Sequence, residues 1–122
     1  MYNNLFGKWG EEVAVCYLVA HGYEILARNW RDGHKEIDII AQKDHATYLV
    51  EVKTRNGETW NAERAVDAAK RRQMIRASYA WRLQHPSLDP IHFAVMAIVR
   101  QPHEAEPEIR FYPKAFTTVY GR

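Results

Sequence analysis

The spacing of apolar and polar residues changes along the chain, and each change marks an element. KWGEEVAVCYLVAH, residues 8–21, carries an apolar block from Val13 to Ala20 and is followed by Gly22, a helix stop signal. The block is apolar all round, so it selects no face and predicts a well-buried helix. YEILARNW (23–30) has the aromatic and β-branched content of a strand. EIDIIAQ (36–42) alternates, which predicts a strand with Glu36 and Asp38 on one side and Ile37 and Ile39 on the other. TYLVEVKT (47–54) alternates too, with Tyr48, Val50 and Val52 facing one way and Leu49, Glu51 and Lys53 the other. The intervening KDHA has the length of a hairpin connection, while RDGHK and RNGETW read as loops.

A long helix is predicted over residues 62–84, with Asn61 as its N-cap and Ala65, Ala69, Ile75, Tyr79 and Leu83 as its apolar positions. IHFAVMAIV (91–99) is almost continuously apolar, as in a strand covered on both faces. EIRFYP (108–113) predicts a last short strand. The order is α-β-β-β-α-β with one strand appended. The class is α/β: a mixed central sheet flanked by helices, with an antiparallel hairpin followed by a parallel crossover.

The 122 residues contain no internal repeat and no linker, which predicts one domain over 1–122. No apolar run approaches the ~18 residues of a membrane span, and MYNNLFGKWGEE carries no signal-peptide core. Cys16 is the sole cysteine, so neither an internal disulfide nor a cysteine-rich zinc site is available. It reads as a packed core residue, and the chain as cytoplasmic. A net charge of +2 permits nucleic-acid binding without demanding it.

The hairpin carries the chemistry. If its turn is centred between Asp44 and His45, Asp38 lies opposite Glu51, and Glu36 opposite Lys53. Two facing carboxylates repel unless a cation separates them. A divalent ion rewards the arrangement, because Mg²⁺ uses one or two carboxylates and completes its shell with water and phosphate oxygens. Lys53, beside such an ion, is placed to orient a water or to stabilise charge on a phosphate. The bland alternative is an ordinary cross-strand ion pair, which contributes little.

These residues resemble the PD-(D/E)xK nuclease superfamily, and more closely the YraN family, itself similar to archaeal Holliday-junction resolvases. The likeness rests on GEEVAVCYLVAHGYEILARNWR (10–31), EIDIIA (36–41), YLVEVKTR (48–55) and AVDAAK (65–70). It implies a restriction-endonuclease-like αβββαβ core. It also implies Asp38 and Glu51 as ligands of Mg²⁺ or Mn²⁺, the Val52 carbonyl as a further ligand, Lys53 as the motif lysine, and Glu11 as a helix-borne acid joining the site. Glu36 also matches a family glutamate, to which the resemblance assigns no role; an ion-pair partner for Lys53 or Arg31 is an equal reading of it. The chain departs from the family pattern at Lys35, where a glycine is usual, and at Ala94, where an aspartate is frequent. A glycine-proline feature before the second helix is missing from WNAERAV.

Lys70, which the resemblance retains, and Arg31 and Arg55, which flank the proposed site, are the expected nucleic-acid contacts. Arg64, Arg71, Arg72, Arg76 and Arg82 read as a solvated helix face able to meet phosphates. Trp9, Trp30, Trp60 and Trp81 are core residues or base-stacking surfaces. The expected activity is metal-dependent hydrolysis of DNA, with branched or structured DNA as a substrate and a homodimer as the assembly. The rival readings are a nucleic-acid-binding module that does not cleave and an adaptor for a protein partner.

Overall fold

A two-residue turn sets the architecture. Asp44 (φ 50°) and His45 (φ 62°) both adopt left-handed backbone conformations, as a type I′ hairpin turn requires. In the computed structural model, which describes residues 2–57 and 66–118, this turn joins β2 (Lys35–Lys43) to β3 (Ala46–Asn56). The pairs run from Lys43↔Ala46 to Ile39↔Val50, the register expected from the sequence. The remaining elements are α1 (Tyr2–Ala20), β1 (Glu24–Asp32), α2 (Ala68–Gln84), β4 (Ile91–Arg100) and β5 (Glu108–Phe116). They form one sheet of order β1-β2-β3-β4-β5, in which only β3 and β4 run parallel. The α/β class and the mixed sheet flanked by helices are therefore as expected. The strands are longer than the sequence suggested: Arg31, Asp32, Lys35, Arg55 and Asn56 belong to strands rather than loops.

Among the described residues, each face of the sheet carries one helix and one core cluster. Ile37, Ile40, Leu49, Phe93, Val95 and Phe116 pack with Met74, Ala77 and Trp81 of α2. Ile39, Ala41, Val50, Ala94, Met96 and Ile98 pack with Ala14 and Leu18 of α1. β4 supplies both faces, which explains its continuous apolar run.

The helices depart from expectation in what they bury. Among the described residues of α1, Gly10, Ala14 and Leu18, spaced four apart, form the buried seam. Val19 is 56% exposed and Cys16 is exposed, because the helix rests on a sheet and touches it along one line. Cys16 is thus not a core residue. On α2, Tyr79 and Leu83 point outward, at 62% and 83% exposure, and Met74, Ala77, Ser78 and Trp81 face the sheet. Trp81 meets Trp30 edge-on, so these two tryptophans are packing residues. The described helix begins at Ala68 and is capped by Asp67, whose Oδ1 accepts the Lys70 N–H at 2.8 Å. Asn61, Ala65, Arg64 and Trp60 lie outside the described residues.

Candidate active site

β2 and β3 part company beyond Ile39↔Val50. From there β2 follows β1, through Trp30↔Ile37 to Asp32↔Lys35, and β3 follows β4 as far as Asn56↔Arg100. The fork coincides with a slip in the side-chain alternation. Ile37 and Ile40 pack on the same face although they are three apart, and so do Ala27 and Trp30 on the neighbouring strand. The β1–β2 register places Asn29 opposite Asp38 at this point, and Asn29 takes the left-handed conformation (φ 50°). Asparagine tolerates that conformation better than most residues. The slip overturns the expected alternation, since Ile37 and Ile39 belong to opposite cores.

The fork leaves backbone groups for side chains to satisfy. Asp38 Oδ2 accepts the Val52 N–H at 2.8 Å, replacing a ladder bond between the strands. In a strand the N–H and C=O of one residue project to the same side, so the Val52 carbonyl also faces the fork. Glu51, next to it, is 6% exposed. Lys53 Nζ lies 3.2 Å from Glu51 Oε2, and Lys70 Nζ reaches from α2 to 3.5 Å from Oε1. Oε1 nevertheless lacks a hydrogen-bond donor, so Lys70 gives it charge without donating a bond to it.

The electrostatics of Asp38 follow from this crowding. Burial is the largest influence and Glu51 the next; together they push its carboxyl up from 3.8 to about 7. The Val52 N–H pulls the other way, Glu11 adds to the rise, and Lys70 opposes it. Asp38 is therefore close enough to both acids to feel their charge.

Glu11 owes its position to Gly10. A Cβ at residue 10 would press into Thr54 Oγ1 and lie 3.0 Å from Cγ2 and 3.2 Å from Cβ of that threonine. Glycine lets α1 lie directly on β3, and brings Glu11 within electrostatic range of Asp38. Glu12 points elsewhere, to Arg28 at 2.5 Å.

Asp38, Glu51, Lys53 and Lys70 thus meet at one place. Lys70 belongs to the centre rather than to the outer face of α2, where Arg71, Arg72 and Arg76 are exposed. Glu36 does not face Lys53, because the strands have already diverged; its Oε1 lies 3.4 Å from Arg31 Nη2. Arg31 is exposed beside it. Arg55 is also exposed, and its Nη1 donates to the Thr54 carbonyl at 2.9 Å. The sequence singled out Lys70 only through the resemblance; in the structure it lies in the first turn of a helix that begins at Ala68, where a cation opposes the macrodipole.

Among the described residues no group of three or more His, Cys, Asp or Glu side chains forms a cation cage. The centre still fits Mg²⁺ or Mn²⁺. It holds a buried carboxylate oxygen without a donor and a second carboxyl whose ionisation is resisted, and such an ion needs only one or two protein carboxylates. Among the described residues, no helix is long and apolar enough to cross a membrane.

The model of the uncharacterised protein family UPF0102 matches residues 10–98. Similar proteins carry the same family name. One from Bacteroides thetaiotaomicron is 39% identical, covering 93% of this chain and 98% of that protein. One from Geotalea uraniireducens is 40% identical, covering 97% and 94%. One from Syntrophotalea carbinolica is 42% identical, covering 90% and 89%.

Proposed function

The chain belongs to the uncharacterised protein family UPF0102, the YraN family of the sequence resemblance, and from that premise we propose that it is a metal-dependent endonuclease hydrolysing phosphodiester bonds in DNA. One observation carries the reading: a buried acid, Glu51, and a part-buried one, Asp38, feel each other's charge beside two lysine ammonium groups. Carboxyls with strongly perturbed ionisation cluster at functional sites, and a divalent cation shared by the pair would relieve its repulsion. Branched or structured DNA is the substrate that the likeness to resolvases favours, and a homodimer is the matching assembly.

Asp38, Glu51 and the Val52 carbonyl would hold Mg²⁺ or Mn²⁺, with Glu11 contributing from α1. The ion, when bound, supplies Lewis-acid polarisation of the phosphate and lowers the pKa of a water. The residues of the chain do the rest. The Val52 N–H fixes Asp38 Oδ2, which orients the carboxylate without occupying its other oxygen. Lys53, two residues beyond Glu51 on the same strand face, presents its ammonium to the attacking water or to a phosphate oxygen. Arg31 and Arg55, exposed near the open end of the fork, meet the flanking phosphates without reading sequence.

A non-cleaving nucleic-acid-binding module is the second reading. It is favoured by the absence, among the described residues, of a third grouped acid, and by the internal neutralisation of Glu51 by two lysines. Incubation with labelled branched, single-stranded and duplex DNA, in Mn²⁺ or in EDTA, separates the two. Cleavage that needs Mn²⁺ and is lost in Lys53→Ala supports the nuclease. Salt-sensitive binding with no cleavage of any substrate supports the module and refutes the nuclease.

A further inference from the structure

Glu51 has more positive charge around it than the motif requires. The motif supplies one lysine, Lys53, at Oε2, and the structure places a second, Lys70, at Oε1. Lys70 comes from another element and at an energetic disadvantage. It sits three residues past the Asp67 cap, in a first helical turn that contains no acid, where a cation opposes the helix dipole. Its side chain turns inward and is only 26% exposed, although the Arg71 and Arg72 that follow it are exposed. It faces the one buried side-chain oxygen without a hydrogen bond among the described residues. A cation near a vacant lone pair, held by charge and not by a hydrogen bond, is arranged to be exchanged.

We propose that Lys70 is the resident counter-ion of the centre: it neutralises Glu51 while no metal is bound and competes with the divalent cation for that carboxylate. This inference rests on the metal-dependent reading above and adds a control on occupancy. The two positive partners cannot both hold Oε1 at full strength, since an ammonium beside a divalent ion is repelled by it. Binding the ion therefore frees Lys70 from Glu51, and with Asp38 also engaged by the ion, a backbone phosphate of the substrate is an anion it can pair with. Metal and substrate then reinforce each other, because each relieves the cost of the other.

The test uses the full chain and Mn²⁺ alone, with no nucleic acid, followed by the paramagnetic resonance of the free ion at a pH where Asp38 is mostly ionised. Lys70→Gln removes the competitor, and binding is expected to tighten about tenfold, within the usual range of site-to-site coupling. Lys70→Met keeps the aliphatic stem and must tighten binding in the same direction, which covers a failure of the glutamine variant to fold. Lys70→Arg keeps the charge and should stay close to wild type. A lysine that only braced the fold would give the opposite result, looser binding in both neutral variants. If wild type binds Mn²⁺ and neither neutral variant binds it more tightly, the counter-ion role is overturned and the metal site stands. If wild type and both neutral variants all fail to bind Mn²⁺, the metal-dependent reading falls and the counter-ion role with it.

Discussion

Replacing Asp38 by Asn should make the protein more stable at neutral and alkaline pH. The Asp38 carboxyl is raised from 3.8 to about 7 by burial and by Glu51. At 1.36 kcal/mol per pH unit, ionising it in the fold costs about 4 kcal/mol more than ionising it in the unfolded chain. The sign follows from which state loses its proton first. Below the unfolded value both states are protonated and Asp38 exacts no penalty. Between 3.8 and about 7 the unfolded chain ionises while the fold does not, so stability falls as pH rises; above that window the penalty is complete. Asparagine cannot ionise and can still accept the Val52 N–H. Urea unfolding followed by circular dichroism, repeated across this window, should show Asp38→Asn gaining up to about 4 kcal/mol over wild type on the alkaline side and converging with it on the acid side. Saturating Mg²⁺ should narrow the gap by stabilising wild type alone, by about 2.7 kcal/mol at a hundredfold excess over Kd. A variant less stable than wild type at alkaline pH, or a gap independent of pH, would mean that ionised Asp38 does not burden the fold.

Three further outcomes test the scaffold. Gly10→Ala should cost about 1–3 kcal/mol in thermal or urea unfolding, because rotating Thr54 does not clear its Cβ; adding Thr54→Ala should recover much of the loss. Asp67→Ala should cost about 1 kcal/mol through loss of the α2 cap, read as a lower urea midpoint with an unchanged slope. Leu83→Glu on the exposed face of α2 should stay within about 0.5 kcal/mol of wild type, whereas Trp81→Ala should cost about 3–5 kcal/mol.

The hairpin was legible in the sequence because a two-residue turn fixes register by counting, and Asp44–His45 is such a turn. That register brings Asp38 near Glu51, but the two are not a cross-strand pair: they lie one step past Ile39↔Val50, the last pair, and Asp38 accepts the Val52 N–H instead. β4 was legible because both of its faces are buried. The relation of Glu36 to Lys53 was not, since counting assumes that the strands stay paired and here they part at the fork. An asparagine inside a strand pattern, Asn29, was the faint sign of that irregularity. α1 hid its burial seam because an apolar block gives no period, and only the small residues Gly10 and Ala14 betray the contact line. Tyr79 and Leu83 misled because apolar side chains are common on surfaces. The place of Lys70 depends on how α2 docks, a tertiary fact that helix periodicity does not contain.

The proposed activity requires Asp38 and Glu51 to share one divalent cation. Crystals grown with Mn²⁺ test it directly by anomalous scattering. The expected result is a peak bonded to carboxylate oxygens of both residues, with Lys70 Nζ withdrawn from Glu51. A protein that shows no such peak at saturating Mn²⁺, with the Glu51–Lys70 pair intact, would contradict it.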